Sequence, residues 1–433
     1  MKGLPSHGHR DHLAGGLVRV TPLAEKPSVR WTVLTVNFLI LAAAYASLST
    51  WSVAVPFVQR SFHLSAGQVQ LGASVLILGY AIGSFAEGQI AARIGMKRTG
   101  VIALLLLLVA QALIPVAPVY WLILVLRFIQ GWGIIWFLAT NMTTPFFPLA
   151  RRGLAAGIIA SAIPFGVGVG GVLAGMVLSR TGSWTQTFFY FDGLLLIIAA
   201  LWLVGARDVK SEPESAGAPR PRGPSPYRSR VGWLVAMCTF CSAFQLLGLY
   251  TLLPTYAYTL GYSPSQAGTA LLIGGLSGAV TAPIGGVLSD ALIARGYPPL
   301  KARAYVMALG GFLIAAVGTF LLPFVAAAGF AVLMFIIVIA GWNAASSLIG
   351  ALPTELMTTP ESAGKLFGLV ILVGLPGGAI SPYVATLIAA NAGWKWAFAT
   401  LGLAALGGVI LGMLAPRVRD ASGAHAAITT VAD

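Results

Sequence analysis

Five histidines stand in this chain of 433 residues, and three of them crowd its first dozen positions. His7, His9, Asp11 and His12 fall in an H-x-H-x-D-H spacing, a cluster that could ligate zinc and activate a water for hydrolysis. Such a site needs further ligands from elsewhere, yet only His63 and His425 remain. The stretch therefore reads as a basic tail, and no metal site is expected. Cys238 and Cys241 form C-T-F-C, a spacing suited to redox or metal chemistry in a soluble protein. Here they lie in an apolar run without further soft ligands and read as two small buried hydrophobes. No G-x4-G-K-[ST] phosphate loop occurs, so ATP is not expected to drive anything. Neither a cofactor nor an enzymatic activity is expected.

The remaining chemistry is sparse because the chain is apolar: 58% of its residues are hydrophobic and 9% are charged. A soluble globular protein carries about 25% charged residues, so most of this exterior must face lipid. Hydrophobic stretches of some twenty residues, bounded by Gly, Pro and charge, mark membrane-spanning helices. They fall at about 31–58, 67–92, 99–118, 119–146, 153–179, 184–205, 231–259, 265–291, 303–323, 326–352, 364–390 and 393–415. Placing the amino end in the cytoplasm puts twenty-two Lys and Arg on the inner segments. Only Arg60, Arg180 and Lys395 then lie outside. That asymmetry accounts for the net charge of +14 by contact with an anionic leaflet, without nucleic acid. An even number of spans puts both ends in the cytoplasm, and the bacterial inner membrane is the expected location.

The domain plan follows. A basic tail (1–30) precedes a six-helix bundle (31–205), and a Pro-, Ser- and Arg-rich cytoplasmic linker (206–230) leads to a second bundle (231–415) and a tail (416–433). The halves repeat each other: Ser65-x-x-Gln68 enters segment 2 and Ser263-x-x-Gln266 enters segment 8, both in capping-box form. Gly88 and Gly286 follow at matching distances, and Trp184 and Trp394 open segments 6 and 12. Parallel six-helix repeats are one architecture of secondary transporters, with a site between the halves near midplane.

Arg127 lies eight residues from the outer end of segment 4, roughly 12 Å at 1.5 Å per residue. Asp192 lies equally deep in segment 6, and a pair would cancel the cost of both charges. No other ionisable residue is expected so deep. An Arg within a bilayer persists mainly for function. The two are candidates for proton coupling, and Arg127 for meeting an anionic substrate; a fixed ion pair between the helices is the alternative.

With these motifs the chain resembles the major facilitator superfamily across all twelve segments. Gly88-Gln-Ile-Ala-Ala-Arg93-Ile-Gly95-Met-Lys97-Arg98 is similar to that family's G-x-L-x-D-R-x-G-R-K-R latch, but its acidic position is Ala92. The second copy, from Gly286, keeps its acid in Asp290, followed by Arg295, Lys301 and Arg303. The resemblance implies that Gly88, Arg93, Gly95, Lys97, Arg98, Gly286, Asp290 and Arg152 serve gating. The first latch is either weakened or served by Glu87. Arg127, Gln130, Gly131 and Gly133 are similar to the family's R-x-x-Q-G-x-G. Gly157, Gly166, Gly170 and Gly175 fit an antiporter spacing but lack its Pro, and small residues also let helices approach.

In this family segments 1, 4, 7 and 10 line the central cavity. The candidates there for substrate binding are Tyr45, Trp51, Arg127, Gln130, Trp136, Asn141, Gln245, Tyr250, Trp342 and Asn343. The expected fold is an all-α integral membrane protein with twelve transmembrane helices in two pseudo-symmetric six-helix bundles. The expected function is alternating-access transport of a small organic anion, a carboxylate, with protons. The alternative is proton-coupled efflux of drugs or metabolites, and a more remote one is a non-transporting sensor or scaffold. The expected partners are a small molecule, protons and the bilayer, with the chain a monomer.

Overall fold

The computed structural model describes residues 27–147, 152–208, 225–324, 328–357 and 360–418. The His-rich tail, most of the 206–230 linker and nearly all of the 416–433 tail lie outside the described residues. Twelve helices follow in chain order: α1 (Pro27–Ser61), α2 (Ala66–Ile94), α3 (Met96–Val116), α4 (Tyr120–Phe146), α5 (Arg152–Thr181), α6 (Trp184–Gly205), α7 (Arg230–Thr259), α8 (Pro264–Ala294), α9 (Pro299–Phe324), α10 (Ala328–Leu356), α11 (Pro360–Ala392) and α12 (Trp394–Leu414). Among the described residues, eleven are long and apolar enough to cross a bilayer, and α10 contains the shorter apolar stretch Phe335–Ser346. The helices alternate in direction. Pro27, Gly205, Arg230 and Arg417 therefore share one end, called the inner end below.

Helix boundaries follow local rules. Ser65 accepts from Gln68 N while Gln68 Oε1 accepts from Ser65 N, and Ser263 and Gln266 repeat the same reciprocal cap on α8. Two helices are irregular inside the membrane. The chain of α4 is interrupted between Trp132 and Trp136, at Gly133. A π-helical turn at Val306–Phe312 interrupts α9.

Close backbone approach holds the helices together, since lipid removes the hydrophobic drive between them. A Cβ on Gly131 would lie 1.9 Å from the Leu76 carbonyl, fixing α4 against α2, and one on Gly285 would lie 1.9 Å from that of Ala344, fixing α8 against α10. Contacts between the halves are as tight. On α5 and α8, a Cβ at Gly175 would meet Pro264 O at 2.3 Å, one at Gly268 would meet Gly171 O at 2.2 Å, and one at Gly275 would meet Pro164 O at 2.2 Å. Gly166 and Gly170 pack in the same way on Ala42 and Ala46 of α1. Packing on α1 and α8 thus accounts for three of the four antiporter-spaced glycines, while Gly157 has open space around it. At the outer end Tyr258 donates to Val53 O at 2.9 Å, and Ser265 N donates to Ser179 Oγ at 3.1 Å. These bonds join the two halves at the outer end.

Candidate functional site

Three polar clusters lie at successive depths. The outermost is built on Arg127, about 10 Å along α4 from Tyr120. Its Nε donates to Gly72 O at 3.1 Å and its Nη1 to Gln130 Oε1 at 2.8 Å, while the Gln130 amide donates to Gln111. The guanidinium stacks over Trp51 of α1, 4.7 Å from the ring centroid. Gly72 makes room for that ring, because a Cβ there would come within 2.2 Å of it. Arg127 is fully buried, and Arg127 Nη2, Trp51 Nε1 and Gln111 Nε2 have no hydrogen-bond partner.

The structure does not join Arg127 to Asp192. Asp192 is half-buried on α6, with Oδ1 enclosed and unbonded, and no ion pair links the two among the described residues. Phe188, Phe191 and Leu195 form the inward stripe of α6, and Phe188 stands edge-on to Trp51. Asp192 falls at the margin of that stripe, beside exposed Phe189 and Leu196. The depth is right and the rotation around the helix is wrong.

The middle cluster draws on both halves. Tyr45 of α1 donates its hydroxyl proton to the Tyr80 hydroxyl of α2 at 2.9 Å, with the rings edge to face. Tyr250 of α7 lies near Tyr45, and its buried hydroxyl neighbours the Asn343 amide of α10. Its ring stands edge-on to Phe335 of α10. Asn343 donates to Ile339 O at 2.8 Å on its own helix. Its amide sits 2.5 Å from where a Gly278 Cβ would be, next to Pro164 of α5.

Other expected binding residues are engaged in packing. Gln245 Nε2 donates to Thr319 Oγ1 at 2.9 Å inside the second half, and Trp342 Nε1 donates to Ser242 O at 3.1 Å, fastening α10 to α7. Asn141 bonds back to Phe137 O. Trp136 and Phe137 meet Phe367 of α11 at 5.7 and 6.4 Å between centroids, an aromatic contact between the halves toward the inner end.

The innermost cluster departs from the expected latch. Gly95 takes φ +90° in the tight turn between α2 and α3, a conformation that favours glycine. The acid at the start of α3 is Asp208, which follows α6: its Oδ1 accepts from Lys97 N at 2.8 Å. Glu87 does not serve this latch; it is 1% exposed, and neither carboxyl oxygen has a hydrogen-bond partner. Glu87 also overturns the expectation that no ionisable residue besides Arg127 and Asp192 would lie so deep. In the second copy Asp290 Oδ1 pairs with Arg303 Nη1 at 2.6 Å, and Arg303 also donates to Ser289 Oγ. Arg93 and Arg98 are exposed, Gly88 faces Phe137, and Gly286 has open space. The side chain of Arg152 lies outside the described residues.

A family model described as Major Facilitator Superfamily matches residues 38–382. The chain belongs to the Major Facilitator Superfamily. Within it, the chain is 25% identical over 397 residues to "Probable anion transporter 4, chloroplastic" of Oryza sativa subsp. japonica, covering 86% of this chain and 66% of that protein. It is 32% identical over 181 residues to the hexuronate transporter of Bacillus subtilis, covering 41% of this chain and 42% of that one. The chain thus spans less than two thirds of either relative's length. Its fold is similar to the crystal structure of a bacterial homolog to the human lysosomal transporter Spinster, with a TM-score of 0.66 at 16% identity, covering 94% of this chain and 98% of that one.

Against the superfamily pattern, sequence reasoning passed over Tyr80, Phe335, Phe367 and Asp208. Tyr80, Ser84 and Glu87 did carry a signal, since they repeat at four and three residues and so share one face of α2. Phe335 and Phe367 resemble any other apolar residue of a membrane helix, and Asp208 gave no signal before its partner across 111 residues was known.

Proposed function

We propose that this chain is a secondary transporter that moves a small organic anion, a carboxylate, by alternating access and together with protons. Arg127 carries the reading. It is a buried cation with a free N–H beside the free N–H of Trp51, and no carboxylate neutralises it among the described residues. An isolated charge out of water is strongly disfavoured unless a counter-charge arrives. A substrate carboxylate offers that charge together with acceptors for both N–H groups. The neutral hydroxyls and amide of Tyr45, Tyr80, Tyr250 and Asn343 offer hydrogen bonds to the rest of such a molecule without a second charge. The names of the two relatives, a probable anion transporter and a hexuronate transporter, point to the same substrate class. Location in a bacterial inner membrane, cytoplasmic ends and a monomeric state complete the proposal.

The test is counterflow of labelled D-glucuronate in proteoliposomes of the purified chain. Wild-type exchange that falls to the level of protein-free vesicles in Arg127→Ala, with partial retention in Arg127→Lys, supports the reading. Movement of a lipophilic cation that survives Arg127→Ala, without glucuronate exchange, replaces it with the efflux reading.

A further inference from the structure

Glu87 is the one fully buried acidic side chain among the described residues. It lies seven residues before the end of α2 at Ile94, about 10 Å from the inner end. Both of its oxygens are enclosed without a donor. The titratable group that bears on it is Tyr80, two turns away on the same face, which hydrogen-bonds Tyr45 of α1. No charged group of α1, α3, α4 or α11, the helices packed on α2, pairs with it among the described residues. Beside it, Gly88 faces the ring of Phe137, and Phe85 reaches toward Gly368 of α11. Phe137 in turn meets Phe367, with the rings tilted. The carboxyl is thus sealed at the level where aromatic rings join the two halves.

A carboxylate without donors in such surroundings is far less stable than the neutral acid. An acid fixed there for structure alone would be expected to have a partner, because buried polar groups are nearly always bonded. We propose that Glu87 is the proton-carrying carboxyl of this chain, replacing the Arg127 and Asp192 pair in that role; this rests on the transporter reading above. Its O–H stays intact while α2 packs on α11 and the Phe137–Phe367 contact is closed. When that contact parts, water reaches the side chain, the O–H bond breaks, the electron pair stays on the carboxylate and the proton passes to inner water. The same face of α2 then leads through Ser84 to Tyr80 and Tyr45, so the charge on Glu87 is felt at the cluster shared by both halves.

Infrared difference spectroscopy of the membrane-reconstituted chain, between acidic and alkaline pH and without substrate, reads the proton directly. Glu87→Gln has nearly the shape of the neutral acid, so it leaves folding intact. The expected result is a protonated-carboxyl band at neutral pH that is missing in Glu87→Gln. A band unchanged in that variant, or a Glu87 already ionised at neutral pH, overturns the proposal. Proteoliposomes supply the second arm. A one-unit pH gradient drives accumulation of D-glucuronate by up to about tenfold for one proton per anion. Glu87→Gln is expected to lose this accumulation and keep glucuronate counterflow. Wild-type accumulation in the variant removes Glu87 from coupling and leaves the anion reading in place. A Glu87 band in a chain that moves no glucuronate does the reverse: the proton site stands and the anion reading falls.

Discussion

The Asp208 carboxylate, two residues beyond the capping position of α6, accepts a hydrogen bond at 2.8 Å from the backbone nitrogen of Lys97 in the first turn of α3. The acid missing at Ala92 is thereby supplied from the far end of the same half. A negative charge at a helix start satisfies an orphan N–H and complements the helix dipole. Removing it in Asp208→Ala is expected to cost about 1 kcal/mol. Asp208→Asn, which keeps an acceptor, should recover most of that, with thermal unfolding of the purified chain as the measurement. Equal unfolding of Asp208→Ala and wild type would show that this bond does not hold the α2–α3 turn.

The second latch is asymmetric. Asp290 is 66% exposed at its side chain and its partner Arg303 is 14% exposed. Asp290→Asn should therefore lower stability by under about 1 kcal/mol, because a solvated carboxylate loses little. Arg303→Gln should cost more, since Arg303 also bonds Ser289 and is itself largely enclosed. A double-mutant cycle on Asp290 and Arg303 separates the two, and a larger loss from Asp290→Asn would reverse this ranking.

Much of the fold was legible because each helix must satisfy its own backbone and present about twenty apolar residues to lipid. The capping serines, Ser65 and Ser263, set the register of the two repeats and are bonded as the sequence implied. Side-chain pairing was less legible, since it depends on rotation about a helix axis, which a smoothly apolar sequence barely encodes. Arg127 and Asp192 share a depth and still miss each other, because Asp192 points past the inward stripe of α6. Glu87 read as a stand-in for the missing latch acid because it neighbours that motif; its burial depends on how other helices pack on α2, which the sequence does not show.

Glycine positions separate tight contacts from slack ones. Gly131→Ala would push a methyl to within 1.9 Å of the Leu76 carbonyl, where neither backbone can yield cheaply. That variant should fail to accumulate or should unfold well below wild type. Gly157→Ala meets nothing within 4 Å and adds helix propensity, so it should be neutral or stabilising by up to about 1 kcal/mol. Expression level and melting temperature of the pair decide it. A harmful Gly157→Ala would mean that this position becomes crowded in another conformation.

Phe367 offers the most direct handle on the inner side. Its ring meets both Trp136 and Phe137 of the other half. Aromatic pairs are worth about 0.5–1.5 kcal/mol each beyond their buried area. Losing both in Phe367→Ala thus removes roughly 1–3 kcal/mol from the closed arrangement, enough to shift a two-state balance by about 5- to 150-fold. Spin labels at Gly157→Cys and Gly286→Cys would report it, with Cys238 and Cys241 replaced by Ser. Both glycines have open space, and they lie toward the inner ends of α5 and α8, one in each half. Phe367→Ala should move the distance distribution toward longer separations, and Phe367→Leu, which keeps apolar bulk, should move it less. An unchanged distribution would mean that the rings only fill space. The inner side would then have to be held by the remaining packing of α2 on α11, and the sealing of Glu87 would not depend on Phe367.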